Sequence, residues 1–430
     1  MIERIKQALK DCGVSLWILE DFTEETAELF FVKKQLDTRR FKDVRKFKIT
    51  VFRDVEGQED KPARGSTQIT LLESMSDGQL RQELESAYYA AQFAANPYFD
   101  LPDPVEAPIM EKTGELAEAL LAESAGKAAR AIFTPDVHED AFVNSAEIFV
   151  SRSRRHILSS QGTDAAYTDA RLNGEFVVQC REPEDVEIHN IYSYDALNTD
   201  ALSKKVEEAL TFVRDRARAQ RILKSGQYDV VLSGESVRTV LSYYEDRAAA
   251  HMIYPGYSTW KLGEHVQGEE ISGAKLDIDL CATQPYSEEG IPMEDLPLVR
   301  GGELKSIYGA NRFCRYLGVN PTGVYRKLRC LNTGVPFEEL KAGPCLWAVT
   351  FSDFQMDSMS GHFGGEIRLA YLIENGKVTP VTGGSINGSL FECQGEMAFS
   401  SDRYESAGYS GPYGLRLKNI NVAGAGGEYN

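Results

Sequence analysis

Glu235 lies just past a short apolar run, Tyr228 to Leu232, where the stretch "LSGESVRTVLSYYEDRAAAHM" (232–252) turns helical. A carboxylate there supports two kinds of chemistry. In the first turn of a helix it complements the macrodipole, with Ser233 as a side-chain N-cap; beside a metal-bound water it acts as a general base. The second role needs ligands, and none is visible nearby. Gly234 precedes the glutamate, Thr239 follows on the next turn, and the first histidine after it is His251. The residues by themselves favour the helix-end role. The six histidines (His138, His156, His189, His251, His265, His362) include no pair three to five residues apart, the spacing of a helical metal site. His362 sits in "SGHFGGE", where Gly364 and Gly365 let a backbone or a ligand come close, although a loop with turn glycines is the plainer reading. No phosphate-cradling Gly-x-x-x-x-Gly-Lys-Ser/Thr and no Gly-x-Ser-x-Gly elbow occurs, and the glycines at 424, 426 and 427 read as a loop with no helix after them.

These residues need elements to hold them. Residues 2–10 read as an amphipathic helix, followed by strand-like runs at Val14–Leu19, Ala27–Val32, Phe41–Phe52 and Thr67–Leu72. Leu80, Leu84, Ala87, Tyr88 and Ala91 recur at helical spacing, and a second helix is expected near 114–130. Between them "PYFDLPDPVEAP" concentrates prolines and reads as a linker. Residues 145–192 read as a meander with turns at Gln161-Gly162 and Asn173-Gly174. A long helix closes it, with Leu202, Val206, Ala209, Leu210, Val213 and Ala217 on one stripe. From 228 onward short β-rich runs alternate with glycine turns, Asn387-Gly388 among them, as in an antiparallel barrel or sandwich. The expected fold is α+β, in three units: 1–100, 110–222 and a β-rich 223–430.

Composition limits the partners. Sixty-five acidic residues against 47 basic give a formal charge of -18, which opposes binding to nucleic acid or to anionic lipid. The run Arg214, Arg216, Arg218 and Arg221 reads as a solvated helix face. No apolar stretch is long enough for a membrane span, and seven widely spaced cysteines without a Cys-x-x-Cys fit reduced thiols, so a cytoplasmic location is expected.

Four segments carry a resemblance: "HILSSQGTDAAYTDARLNGEFVVQC", "YDVVLSGESVRTVLSYY", "GGELKSIYGANRFCRYLG" and "MSGHFGGEIRLAYLIENGKVTPVTGGSINGS". Together they resemble the TldD/PmbA family, known as modulators of DNA gyrase and understood as metallopeptidases. In its catalytic branch a His-Glu-x-x-x-His segment supplies two zinc ligands and a glutamate base, and a C-terminal cysteine supplies a third ligand. Here that segment reads Gly234-Glu235-Ser236-Val237-Arg238-Thr239, Tyr409 and Ser410 lie where the cysteine is expected, and no cysteine follows Cys393. The resemblance thus implies the PmbA/TldE-like branch: a subunit with no cofactor of its own, zinc being carried by a TldD-type paralogue. The two would act as a heteromer on unfolded or extended peptides; in isolation the chain would form a homodimer. The alternative is a self-sufficient hydrolase built on Glu235 and His362 without the zinc motif, with Gly364 and Gly365 beside a substrate groove.

Overall fold

A computed structural model of the chain describes residues 1–57 and 61–425. The first part comprises α1 (Ile2–Asp11), β1 (Leu16–Val32), β2 (Gln35–Glu56), β3 (Pro62–Leu72), α2 (Asp77–Ala91), β4 (Ala95–Pro97), α3 (Glu115–Glu118), α4 (Leu121–Phe133), β5 (Ala141–Ser159), β6 (Asp164–Cys180), β7 (Val186–Tyr194) and α5 (Thr199–Ala217). Its strands form one antiparallel sheet in the order β4-β3-β2-β1-β5-β6-β7. The β1–β5 pairing joins the strands of residues 1–100 and 110–222 into that single sheet. Helices α1 and α2 set Ile5, Leu9, Leu80 and Leu84 against Phe47, Ile49 and Leu71. Helices α4 and α5 cover the β5–β7 side, and the apolar stripe expected on α5 is its buried stripe.

Two sequence expectations give way here, each for a physical reason. The charged stretch between Leu19 and Ala27 does not break β1. Asp21 is buried against a bidentate Arg45 (2.9 and 2.8 Å), Glu28 against Arg40 (2.7 Å), and Glu20 pairs with Arg155, so cross-strand ion pairs carry the strand through. Asn173-Gly174 is not a turn either. It lies inside β6 opposite Phe149 and Ile148, and a Cβ at Gly174 would stand 2.0 Å from the Glu147 carbonyl oxygen and 2.6 Å from the Tyr192 hydroxyl. Glycine is present for close approach, not for a bend. The Gln161-Gly162 turn between β5 and β6 is present, with Gly162 at φ +104°.

The remainder runs β8 (Gly226–Ser233), α6 (Glu235–Arg247), α7 (Ala250–Ile253), β9 (Ile278–Cys281), β10 (Leu296–Arg300), β11 (Glu303–Leu304), α8 (Asn311–Leu317), β12 (Lys327–Cys330), α9 (Phe337–Leu340), β13 (Cys345–Met356), β14 (His362–Glu374), β15 (Lys377–Val381), β16 (Ser385–Ser389), α10 (Leu390–Cys393), β17 (Ala398–Phe399), β18 (Arg403–Glu405), β19 (Tyr409–Pro412) and β20 (Gly414–Ala423). One sheet has the order β11-β10-β9-β12-β19-β18, with β12 and β19 parallel. In the other, β13-β8-β20-β16-β14 closes on itself through β13–β14 pairing, a barrel whose one parallel contact is β8–β13. The fold is α+β, with a mixed N-terminal region and a mostly antiparallel C-terminal barrel.

The barrel corrects the second expected turn. Asn387-Gly388 lies within β16, and a Cβ at Gly388 would stand 2.3 Å from the Phe363 ring. The tight β14–β15 turn is instead Asn375-Gly376, both at positive φ (+53° and +74°), as a two-residue type I′ hairpin requires. The loop read at Gly424 is irregular as expected; Gly426 and Gly427 lie outside the described residues. Among the described residues no helix is long and apolar enough to cross a membrane.

Candidate functional site

Helix α6 forms because Val237, Val240, Leu241 and Tyr244 recur on one face, and all four are buried in the barrel-side core. Its entry turns on Gly234, whose φ of +61° and ψ of −128° belong to glycine. Gly234 is itself the N-cap, and no side chain caps the helix. Ser233, the expected cap, instead accepts a hydrogen bond from Trp347 Nε1 at 3.0 Å. The Gly234 N–H donates to the carbonyl of Tyr413, the residue between β19 and β20, at 2.8 Å.

Glu235 is exposed in the first turn, as the helix-dipole reading expects. It is not alone. Tyr404, from β18, donates its hydroxyl to Glu235 Oε1 at 3.0 Å, and Lys205, from α5, donates to the same phenol oxygen at 3.3 Å. Lys205 reaches this point because α5 has two working faces. One stripe packs on the first sheet. Along a second, Phe212 meets Trp347 edge-on at 6.0 Å and Tyr371 donates to Asp215 at 2.5 Å, so the helix is clamped between sheet and barrel.

Burial sets the protonation of this cluster. It pushes the phenols of Tyr194 and Tyr413 up to about 12, with Glu235 and Glu208 adding to the effect on Tyr194. Tyr404 is raised too, first by burial and then by the Glu235 charge. Lys205 is lowered by burial, while Glu235 and Glu208 act against that loss of charge.

The C-terminal segment where a cysteine ligand is expected does return to this helix. Arg238 donates to the Gly408 carbonyl at 3.1 Å and to the buried Glu245 at 2.5 Å, pinning the β18–β19 hairpin along α6. A zinc ion here would need three or four nitrogen, sulfur or oxygen donors. Gly234 has none to offer. The Thr239 hydroxyl donates to the Glu235 carbonyl at 3.1 Å within its own helix, and the Tyr409 hydroxyl, in the core, donates to the Pro412 carbonyl at 3.2 Å. Among the described residues no three His, Cys, Asp or Glu side chains gather as a metal site. The residues at these positions do not fit the metal.

His362 is elsewhere. It opens β14 beside the 357–361 loop, which reaches α6 through Ser358 donating to Asp246 at 2.5 Å. Asp246 lies at the opposite end of α6 from Glu235, about 16 Å along the helix axis from the 1.5 Å rise per residue. Glu235 and His362 are therefore not brought together. His362 borders an open depression of about 490 Å³ with Gln355, Asp357, Phe363, Gly364 and Asn387. A Cβ at Gly364 would stand 2.7 Å from the Ile386 carbonyl oxygen, and one at Gly365 would stand 2.3 Å from the Asp353 carbonyl oxygen. These two glycines admit neighbouring backbone.

Sequence reasoning missed Lys205, Tyr404, Tyr413 and Tyr194. No local pattern could have found them, because 199 residues separate Lys205 from Tyr404.

With this geometry in view, three comparisons bear on what the chain is. The family described as PmbA/TldA metallopeptidase C-terminal domain matches residues 225–424, the segment holding the barrel and α6. A metalloprotease TldD homolog of Haemophilus influenzae is 28% identical over 167 residues, a match covering 32% of this chain and about a third (35%) of that relative's length. Three solved structures share the fold from end to end. TldE from Thermococcus kodakarensis has a TM-score of 0.79 at 15% identity, covering 98% of this chain and 100% of its own. A candidate modulator of DNA gyrase from Bacteroides thetaiotaomicron gives 0.77 at 16% identity (98% and 98%), and one from Thermotoga maritima gives 0.75 at 17% (98% and 99%). Residues 225–424 thus carry a PmbA/TldA metallopeptidase C-terminal domain, and the match to a TldD homolog supports a place in the TldD/PmbA family.

Proposed function

We propose that this chain is a non-catalytic, TldE-like subunit that pairs with a zinc-bearing TldD-type paralogue and completes a peptidase acting on unfolded or extended peptides. The observation that carries the reading is the state of the ligand positions. Gly234 offers no donor, and the hydroxyls of Thr239 and Tyr409 are spent on backbone carbonyls, while the motif glutamate accepts from Tyr404, whose oxygen in turn accepts from Lys205. The whole-chain likeness to a TldE structure supports it. So does the distance between Glu235 and His362, which removes the pairing on which a self-sufficient hydrolase would depend.

The test is to purify the chain alone, the paralogue alone and the two together, and to follow cleavage of an unfolded peptide alongside metal content. The mixture should cleave, and this chain alone should neither cleave nor hold a stoichiometric metal. Chelator-insensitive hydrolysis by the chain alone would overturn the reading.

A further inference from the structure

In a zinc peptidase a metal ion polarises a water molecule that a neighbouring glutamate deprotonates, so the order of groups is cation, bridging oxygen, carboxylate. The start of α6 keeps that order with other atoms. The Lys205 ammonium donates to the Tyr404 phenol oxygen at 3.3 Å, and the same phenol donates onward to Glu235 Oε1 at 3.0 Å. Resting on the non-catalytic reading above, we infer that Lys205 takes the electrostatic place of the missing metal and the Tyr404 oxygen the place of its water. Glu235 is thereby held by a cation in a site with nothing to transfer to a substrate.

Three features carry this beyond a chance contact. First, Lys205 makes no direct ion pair among the described residues, so its hydrogen-bonded link to a carboxylate runs through Tyr404; its ammonium also stands 5.8 Å from the centroid of that ring. Second, the three members come from three elements, α5, α6 and β18, which the packing of α5 between sheet and barrel brings to one place. Third, the surroundings keep the phenol protonated: burial and the Glu235 charge both raise Tyr404. A phenol is fixed to the chain by its ring, whereas a water is free to attack, and this difference turns a catalytic order of groups into a structural one. Lys205 is thus a positioning residue that holds Glu235 through Tyr404 and ties α5 to α6 across the junction of the two halves.

The experiment is a double-mutant cycle on the full chain, read by urea unfolding, with Lys205→Met, Glu235→Gln and their combination in wild-type and Tyr404→Phe backgrounds. In the wild-type background the combined variant should lose no more than the worse single one, a non-additivity of about tenfold in the unfolding equilibrium constant. With Tyr404→Phe the coupling should fall below about twofold, and Lys205→Arg should restore it in the wild-type background. Additive losses in the wild-type background, or coupling that survives Tyr404→Phe, would overturn the inference. If Lys205→Met does not fold, Lys205→Gln, which keeps a donor and loses the charge, replaces it in the cycle. The outcomes separate from those of the previous section: stoichiometric zinc in the unmodified chain defeats the subunit reading, whereas an additive cycle in a zinc-free chain defeats this inference alone.

Discussion

The two ends of α6 face opposite fates. At its start, Lys205 bonds Tyr404 and Tyr404 bonds Glu235, while Ser233 accepts from Trp347 and the Gly234 N–H donates to the Tyr413 carbonyl, so several segments are linked at one place. At its far end, His362 lies exposed on an open depression, and the Ser358–Asp246 hydrogen bond ties that loop to the helix. The start of the helix is thus the cross-linked end, and the depression at its far end is the open one. The contrast teaches that one helix can serve as a hydrogen-bonded joint at its start and border open surface at its far end.

The comparison can be broken in several ways. Alkaline titration should have the largest effect. Burial pushes the Tyr194 and Tyr413 phenols up to about 12 from an ordinary value of about 10, and Tyr404 is raised further. The native state therefore keeps protons that the unfolded state releases, so stability is intact below pH 10 and falls as pH rises through 10 to 12. Each such phenol contributes up to about 1.4 kcal/mol per pH unit. Thermal melts from pH 8 to 11.5 check this, and Tyr404→Phe should flatten the slope.

Gly388→Ala comes next. Its methyl would meet the Phe363 ring at 2.3 Å, so overpacking should cost about 1–3 kcal/mol in urea unfolding, at the open end of the comparison. Gly234→His should cost about 2 kcal/mol, because φ +61° with ψ −128° strains any side chain, and calorimetric titration with zinc should still show no tight site. His362→Ala should change stability by less than about 0.5 kcal/mol, since the ring is exposed and bonds no other side chain among the described residues.

How much of this could be read from the sequence depended on how local each cause is. The α5 stripe and the strand before α6 are local patterns, and the α+β class followed from such runs; the I′ turn at Asn375-Gly376 was equally local but was not read as a turn. Asn173-Gly174 and Asn387-Gly388 misled because glycine serves turns and close approach equally, and only the partner strand, with Tyr192 or Phe363 on it, decides which. Charged β1 looked interrupted because its neutralising arginines sit on β2 and β5. The identity of α6 rested on a family motif, whereas the side chains bonded in series to Glu235 come from β18 and α5. Glu235 was visible as a carboxylate at a helix start; its lysine and tyrosine were not.

The central claim is that Glu235 here is structural. Its most direct test is the rate of unfolded-peptide cleavage by this chain mixed with a TldD-type paralogue, with Glu235→Gln introduced in this chain alone. The account predicts a rate within about twofold of the unsubstituted mixture; a loss of a hundredfold or more, the scale expected on removing a general base, would contradict it.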